Sequence, residues 1–220
     1  MTITTRKPTP KPDATSSYEH LIAAEIGLDA VRRNREFAQS AQGLGDPQLA
    51  LTVGARAPLF TLDDIIGKPV ALAEMIASGP TVLIFYRGGW CPFCNVHLRA
   101  FQLARTHIRA LGASVLLISP ELHTYAVPML FPVLSDRGNA VARAYGLAFQ
   151  MPSEMRADYR EDGIDLAERN GDASGELPMP ATFVVDRAGL IQYAFVSADY
   201  TQRAAPQDVI AVLRRLRGSR

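Results

Sequence analysis

Apolar residues recur along the chain at two different periods, separated by short clusters of Gly, Pro and Asp. Leu21, Ala24, Leu28 and Val31 return at helical intervals behind Ser16 and Glu19, which have the spacing of a capping box, until Gly43 and Gly45 stop the pattern. This predicts a helix over 16–43, about five or six turns long. Residues 1–15 are rich in Thr, Pro and Lys and carry no apolar period, so a mobile arm is expected there. From Gly54 the period shortens to two: Phe60 and Leu62, then Val70 and Leu72, alternate with polar neighbours around a turn at Ile65, Gly67 and Pro69. That predicts a small hairpin.

Residues 81–86 (TVLIFY) form a continuous β-branched and aromatic run, the signature of a strand buried on both faces. Val96, Leu98, Phe101, Leu103, Ile108 and Leu111 then provide one face of a helix ending at Gly112, and 114–119 (SVLLIS) is a second apolar strand. A right-handed crossover makes the two strands parallel and puts the strand-to-helix loop at the carboxyl edge of the sheet, where α/β proteins place their sites. Residues 131–134 read as a short strand or an ordered loop and 140–145 as a short helix. Residues 147–178 are a polar, Gly- and Asp-containing insertion to which no elements are assigned. Two more strands, 182–185 and 190–196, flank the tight-turn sequence Asp186-Arg187-Ala188-Gly189, and a helix begun by Pro206 covers 209–216. The class is α/β, a central mixed sheet flanked by helices, with a helical extension at its amino end.

With 48% hydrophobic and 20% charged residues, the composition is that of a chain able to fill a core. Lys and Arg number 23 against 22 Asp and Glu, a net charge of +1, so no long-range field favours nucleic acid. The basic runs Arg32, Arg33, Arg35 and Arg214, Arg215, Arg217, Arg220 read as solvated helix faces. Neither a secretory apolar segment nor a run near the roughly 20 apolar residues of a membrane span occurs, from which a cytoplasmic location, without membrane contact, is expected.

The chain has two cysteines, and both lie in Trp90-Cys91-Pro92-Phe93-Cys94, at the junction of the buried strand and the amphipathic helix. Two cysteines this close exclude a disulfide-stapled scaffold and favour a dedicated redox or metal pair. With Pro92 at the first helical position, Cys91 stands at the helix amino terminus, facing unpaired N–H groups and the positive end of the dipole, so its thiolate is expected to be stabilised. Helix geometry sets the two Cα atoms roughly 5 Å apart, inside disulfide range. An accessible thiol of low pKa and a second sulfur beside it are what thiol exchange needs. Arg87 adds positive charge nearby. Half a zinc site is the competing reading, but there is no second C-x-x-C and no obvious His pair, and no cofactor is expected. His97, one turn beyond Cys94, is read as locally bonded rather than as a tuning group, and His20, His107 and His123 carry less signal still. Far along the chain, Pro180 precedes a strand, a position that hosts edge starts or cis bonds.

The segments FYRGGWCPFCNVHLRAFQ, FPVLSDRGN and PATFVVDRAG, within the span Gly54 to Leu216, resemble the peroxiredoxin-like proteins of the alkyl hydroperoxide reductase and thiol-specific antioxidant (AhpC/TSA) family, in the thioredoxin superfamily. The resemblance implies a thioredoxin-like domain over 54–220 and a Cys91/Cys94 thiol-disulfide cycle. Set against thioredoxins, Cys91 matches the attacking cysteine, Cys94 the resolving one and Pro180 a cis-proline facing the pair. Set against peroxiredoxins, Arg87, Cys91 and Cys94 fall in the places of the active-site proline, threonine and peroxidatic cysteine. Both the proline and the threonine hydroxyl are thus replaced, and no arginine immediately precedes Ala181. Arg87, Trp90 and Pro180 become candidates for substrate binding or thiol tuning. The segment 121–130 is short for the family, so a truncated or unwound helix is expected there. The implied function is an antioxidant peroxidase acting on a hydroperoxide and regenerated by a thioredoxin- or glutathione-type reductant, the latter suggested by the Pro-Phe dipeptide. A disulfide reductase and a non-enzymatic redox sensor or interaction module, the latter docking a partner or second subunit as a homodimer, are the alternatives.

Overall fold

The computed structural model describes residues 24, 27–29, 31, 32, 36 and 44–218 apart from 127. The arm expected over 1–15 and both ends of the helix expected over 16–43 lie outside the described residues. Within that span Ala24, Leu28, Asp29, Val31, Arg32 and Glu36 are helical, but Gly27, with φ +82, is not, so the single helix expected there is interrupted; Arg32 pairs with Glu36 one turn on, and Val31 packs on the core.

The predicted hairpin is β1 (Thr61–Asp63) against β2 (Pro69–Ala71), followed by the short helix α1 (Leu72–Ser78). The buried run forms β3 (Thr81–Phe85), the cysteine motif opens α2 (Pro92–Ala110), and the second apolar run forms β4 (Ser114–Ser119). After β5 (Val133–Ser135) and α3 (Ala140–Ala144), the insertion folds as β6 (Ala148–Gln150), α4 (Ser153–Glu161), α5 (Leu166–Asn170) and β7 (Glu176–Pro178). The chain ends with β8 (Ala181–Val185), β9 (Ile191–Val196) and α6 (Pro206–Gly218).

The central sheet has the order β5-β4-β3-β8-β9, with β3, β4 and β5 parallel and β8 and β9 antiparallel to their neighbours. All of β3 is buried, as a continuous apolar run requires. Its side chains alternate between two separate cores. Val82, Ile84 and Tyr86 pack with Phe101 of α2 and Val209, Val212 and Leu213 of α6, whereas Leu83 and Phe85 pack with Leu72 of α1 and Tyr145 at the end of α3. Phe85, Tyr145 and Phe183 meet as tilted and edge-on rings on this second face. Between β4 and β5 none of the described residues is helical, in agreement with the expected unwinding.

The insertion is more ordered than its polar sequence suggests. β6 and β7 pair as a small sheet at its base, and Asp165 caps α5 by accepting from the N–H groups of Ala167 and Glu168. Met155 and Leu166 turn inward and join the same core as α2. Its local order comes from the Asp165 cap and from buried apolar side chains, Met151, Met155, Leu166 and Leu177 among them.

One close approach ties α3 to the segment preceding β1. Gly146 has φ +71, and a Cβ there would lie 2.0 Å from the Leu49 carbonyl oxygen, while Leu51 N–H donates to the Tyr145 carbonyl. Gly146→Ala combines left-handed strain with overlap against backbone, and is expected to lower stability by about 2 kcal/mol or more, read as a drop in the thermal unfolding midpoint.

Candidate active site

β3 delivers the chain to Arg87 at the carboxyl edge of the sheet, and the next residues turn sharply into α2. Gly88 has φ +146, and a Cβ on it would fall 2.4 Å from the indole Nε1 of Trp90, so glycine leaves the room that the ring occupies. Gly89 is gripped from both sides: its N–H donates to Glu121 Oε2 at 2.7 Å, and its carbonyl accepts from Asn95 Nδ2 at 2.8 Å. Cys91 then caps α2 in an extended conformation with Pro92 at the first helical position, as predicted. Both cysteines are free thiols, 1% and 0% exposed.

The two sulfurs are unequal. Burial works against ionising either one, but Cys94 receives three compensating interactions: the Cys91 thiol donates to it, the Arg87 backbone N–H donates to it, and Arg203 Nη2 approaches its Sγ at 3.3 Å. Together with the Arg87 charge these bring the Cys94 thiol down to about 5. Burial and the adjoining Cys94 sulfur push the Cys91 thiol well up instead. The expectation of an exposed, stabilised Cys91 thiolate is therefore corrected. Cys91 does occupy the cap, but its side chain caps no helix N–H, and it is buried as a hydrogen-bond donor to the neighbouring sulfur.

Arg87 is 2% exposed and lies within an aromatic box. Its guanidinium carbon is 4.5 Å from the ring centre of Tyr200, 4.8 Å from Trp90 and 5.5 Å from Tyr159, and it donates to the Tyr159 hydroxyl. Two buried donors at this spot, Arg87 Nε and Trp90 Nε1, have no hydrogen-bond acceptor. Tyr159 comes from α4, so the insertion forms one wall of the site. A second wall is fastened through Glu121, whose carboxylate takes the Gly89 N–H and an ion pair with Arg169 of α5 at 2.8 Å.

Of the residues singled out in the sequence, Arg87, Trp90, Cys91 and Cys94 converge. Pro180 is buried just before β8, whose Ala181 faces Phe85 across the sheet, so it stands at the same edge. Its peptide bond is trans, since no cis peptide occurs among the described residues; the chain runs extended from β7, with Met179 N–H bonded to the Leu147 carbonyl. His97 is buried one turn beyond Cys94 and bonds the Ala204 carbonyl at 3.1 Å; burial, aided by Arg203, lowers its pKa to about 3. Among the described residues no group of three or more His, Cys, Asp or Glu side chains is placed to hold a metal ion. Sequence reading missed Arg203, Tyr159, Tyr200, Glu121 and Arg169. None sits in a motif, and Arg203 is 109 residues from the sulfur it meets.

A buried dithiol at the carboxyl edge of a thioredoxin-like sheet, with guanidinium groups close to one of its sulfurs, has the parts of a thiol-based oxidoreductase. The AhpC/TSA family model matches residues 53–194. The chain belongs to that family, and it is a thiol-dependent antioxidant peroxidase. It is similar to the chloroplastic peroxiredoxin Q of Sedum lineare, 31% identical over 186 residues and covering 81% of each protein. To the Arabidopsis thaliana peroxiredoxin Q it is 30% identical over 150 residues, 64% of this chain and 58% of that protein. Among solved structures it resembles peroxidoxin BcpB of Mycobacterium tuberculosis, with TM-score 0.60 and 22% identity, covering 76% of this chain and 98% of that one. The 2-Cys peroxiredoxin of Plasmodium vivax gives TM-score 0.58 at 14% identity, covering 76% of this chain and 83% of that one. These two establish the fold. The chloroplastic plant relatives overturn the expected cytoplasmic location. That expectation rested on a missing apolar segment, which organelle addressing does not use.

Because the Glu121 side chain is fully buried, its charge depends on Arg169 and Gly89. Arg169→Met is expected to cost roughly 3 kcal/mol in chemical denaturation, more than Glu121→Gln, since only the first leaves a buried carboxylate unpaired.

Proposed function

We propose that Cys94 is the thiol that attacks the peroxide and Cys91 the one that resolves it. The observation that carries this reading is the set of three interactions converging on Cys94 Sγ while Cys91 remains a protonated donor. The Cys94 thiolate attacks the terminal oxygen of a hydroperoxide, the S–O bond forms and the O–O bond breaks. The leaving oxygen takes the Cys91 proton, giving an alcohol or water and a Cys91 thiolate. That thiolate displaces hydroxide from the Cys94 sulfenic acid to form the disulfide. A thiol reductant of the thioredoxin or glutathione type then restores both thiols.

Cys91 thereby stands in for the threonine hydroxyl that the family pattern has at its position, as a donor beside the reacting sulfur. Arg87 Nε and Trp90 Nε1 supply donors for the peroxide oxygens, the role the absent residues would otherwise fill. The burial of both sulfurs favours a small peroxide over a folded protein disulfide as the oxidant. Residues 54–220 are read as the catalytic domain, with 16–43 as an extension outside it.

Cys94→Ser is expected to abolish peroxide consumption. Cys91→Ser retains one stoichiometric turnover and accumulates a sulfenic acid that a dimedone-type probe labels at residue 94. Labelling at residue 91 of the Cys94→Ser protein instead would reverse the assignment. The attacking form is the thiolate of a group with pKa about 5. Its second-order rate with peroxide should therefore stay level from neutral pH down to about pH 6 and fall as acid protonates the sulfur, halving near pH 5. Arg87→Met is expected to raise KM for peroxide and to lower kcat/KM by on the order of 100-fold, following loss of a charged donor in a dry site.

A further inference from the structure

We propose that Arg203 is a catalytic residue of the peroxidase: a guanidinium lent by the loop between β9 and α6, which holds Cys94 Sγ as the reacting thiolate. The inference rests on the reading of Cys94 as the attacking sulfur and adds to it the group on which that sulfur depends. Arg203 lies beyond residue 194, where the family match ends, so it is not a residue that the match itself supplies. No arginine stands immediately before Ala181, and the positive charge reaches the site from another element altogether.

The geometry is built rather than incidental. Arg203 Nη2 points at Cys94 Sγ at 3.3 Å, while Nη1 donates to the carbonyls of Tyr200 and Gln202, the latter at 2.8 Å. Its own loop thus orients the guanidinium before any substrate arrives. That loop is in turn fastened to α2: His97 Nε2 bonds the Ala204 carbonyl, and Tyr200 packs edge-on against Phe93 with ring centres 5.8 Å apart. Asp199 secures the start of the turn by accepting from the N–H and hydroxyl of Thr201. An arginine fixed in this way costs little further ordering when charge develops at the sulfur or on the departing oxygen.

Several other ionisable groups face the Cys94 sulfur. Cys91 lies beside it on α2, Arg87 and Tyr86 approach from the end of β3, and Glu121 contributes a negative charge from the loop after β4. Glu121 opposes the thiolate and is itself engaged by Arg169 and Gly89. The side chain of Arg87 is committed to the Tyr159 hydroxyl and three ring faces. Arg203 is the guanidinium whose N–H group is directed at the sulfur.

The test follows alkylation of Cys94 by iodoacetamide against pH, resolved by peptide mass spectrometry, in the full-length wild type, Arg203→Met, Arg203→Gln and Arg203→Lys. The midpoint for Cys94 is expected to rise by about one pH unit or more in the Met and Gln variants and by less in the Lys variant, which keeps the charge. Peroxide kcat/KM at pH 6 falls roughly tenfold in the neutral variants and recovers toward wild type at pH 9, where the thiol ionises unaided. A pure loss of packing would lower activity equally at both pH values. An unmoved midpoint in either neutral variant, shown by circular dichroism to be folded, overturns the role of Arg203. A low midpoint found on Cys91 in the wild type overturns instead the assignment of Cys94, and the inference with it.

Discussion

A sulfur without solvent contact, ringed by donors and positive charge that favour its ionisation, is the constraint around which this site is organised. Taking a charge out of water costs several kcal/mol unless fixed dipoles and counter-charges replace the lost hydration. Here the replacement comes from a thiol, a backbone N–H and two guanidinium groups drawn from three parts of the chain. The dependence runs both ways. Arg87 is as buried as the sulfur, and its charge is tolerable because an anion lies near and aromatic faces surround it. The proximity of the two groups couples the reactivity of the site to its folded geometry.

Each element around the site can be understood as meeting that requirement. β3, buried on both faces, gives the loop a rigid origin. Gly88 admits the Trp90 ring, Glu121 and Asn95 pin Gly89, and Pro92 starts α2 so that the sulfurs lie one turn apart. The insertion contributes Tyr159 and, through Arg169, the counter-charge that keeps Glu121 in place. Membership of the AhpC/TSA family fits this frame, while the chemistry inside it is redistributed. A cysteine thiol and an arginine occupy positions where the family pattern has a threonine and a proline.

That redistribution shapes the catalytic cycle. In a pair separated by one helical turn, the two sulfurs are already in hydrogen-bond contact, a spacing from which a disulfide can close without long-range rearrangement of α2.

The sequence by itself determined the fold class and singled out the cysteine pair. Runs such as 81–86 and 114–119 can be nothing but buried strands, and a C-x-x-C at the end of such a strand with proline between the sulfurs has one local geometry. These are short-range matters of sterics and burial. The hairpin of β1 and β2, the strands β8 and β9, and α6 were legible for the same reason. Which sulfur is favoured for ionisation was not legible, because helix position favours Cys91, while the Cys91 thiol, the Arg87 N–H and the distant Arg203 favour Cys94 only once the loop and α2 are folded. Arg203, Tyr159 and Glu121 sit 109, 65 and 27 residues from Cys94 or beyond any local pattern, and their contacts exist only after β9, α4 and β4 have taken their places. The trans bond at Pro180 and the ordered insertion belong to the same category. Electrostatics in a buried site sums over neighbours in space, and tertiary structure alone decides who those neighbours are.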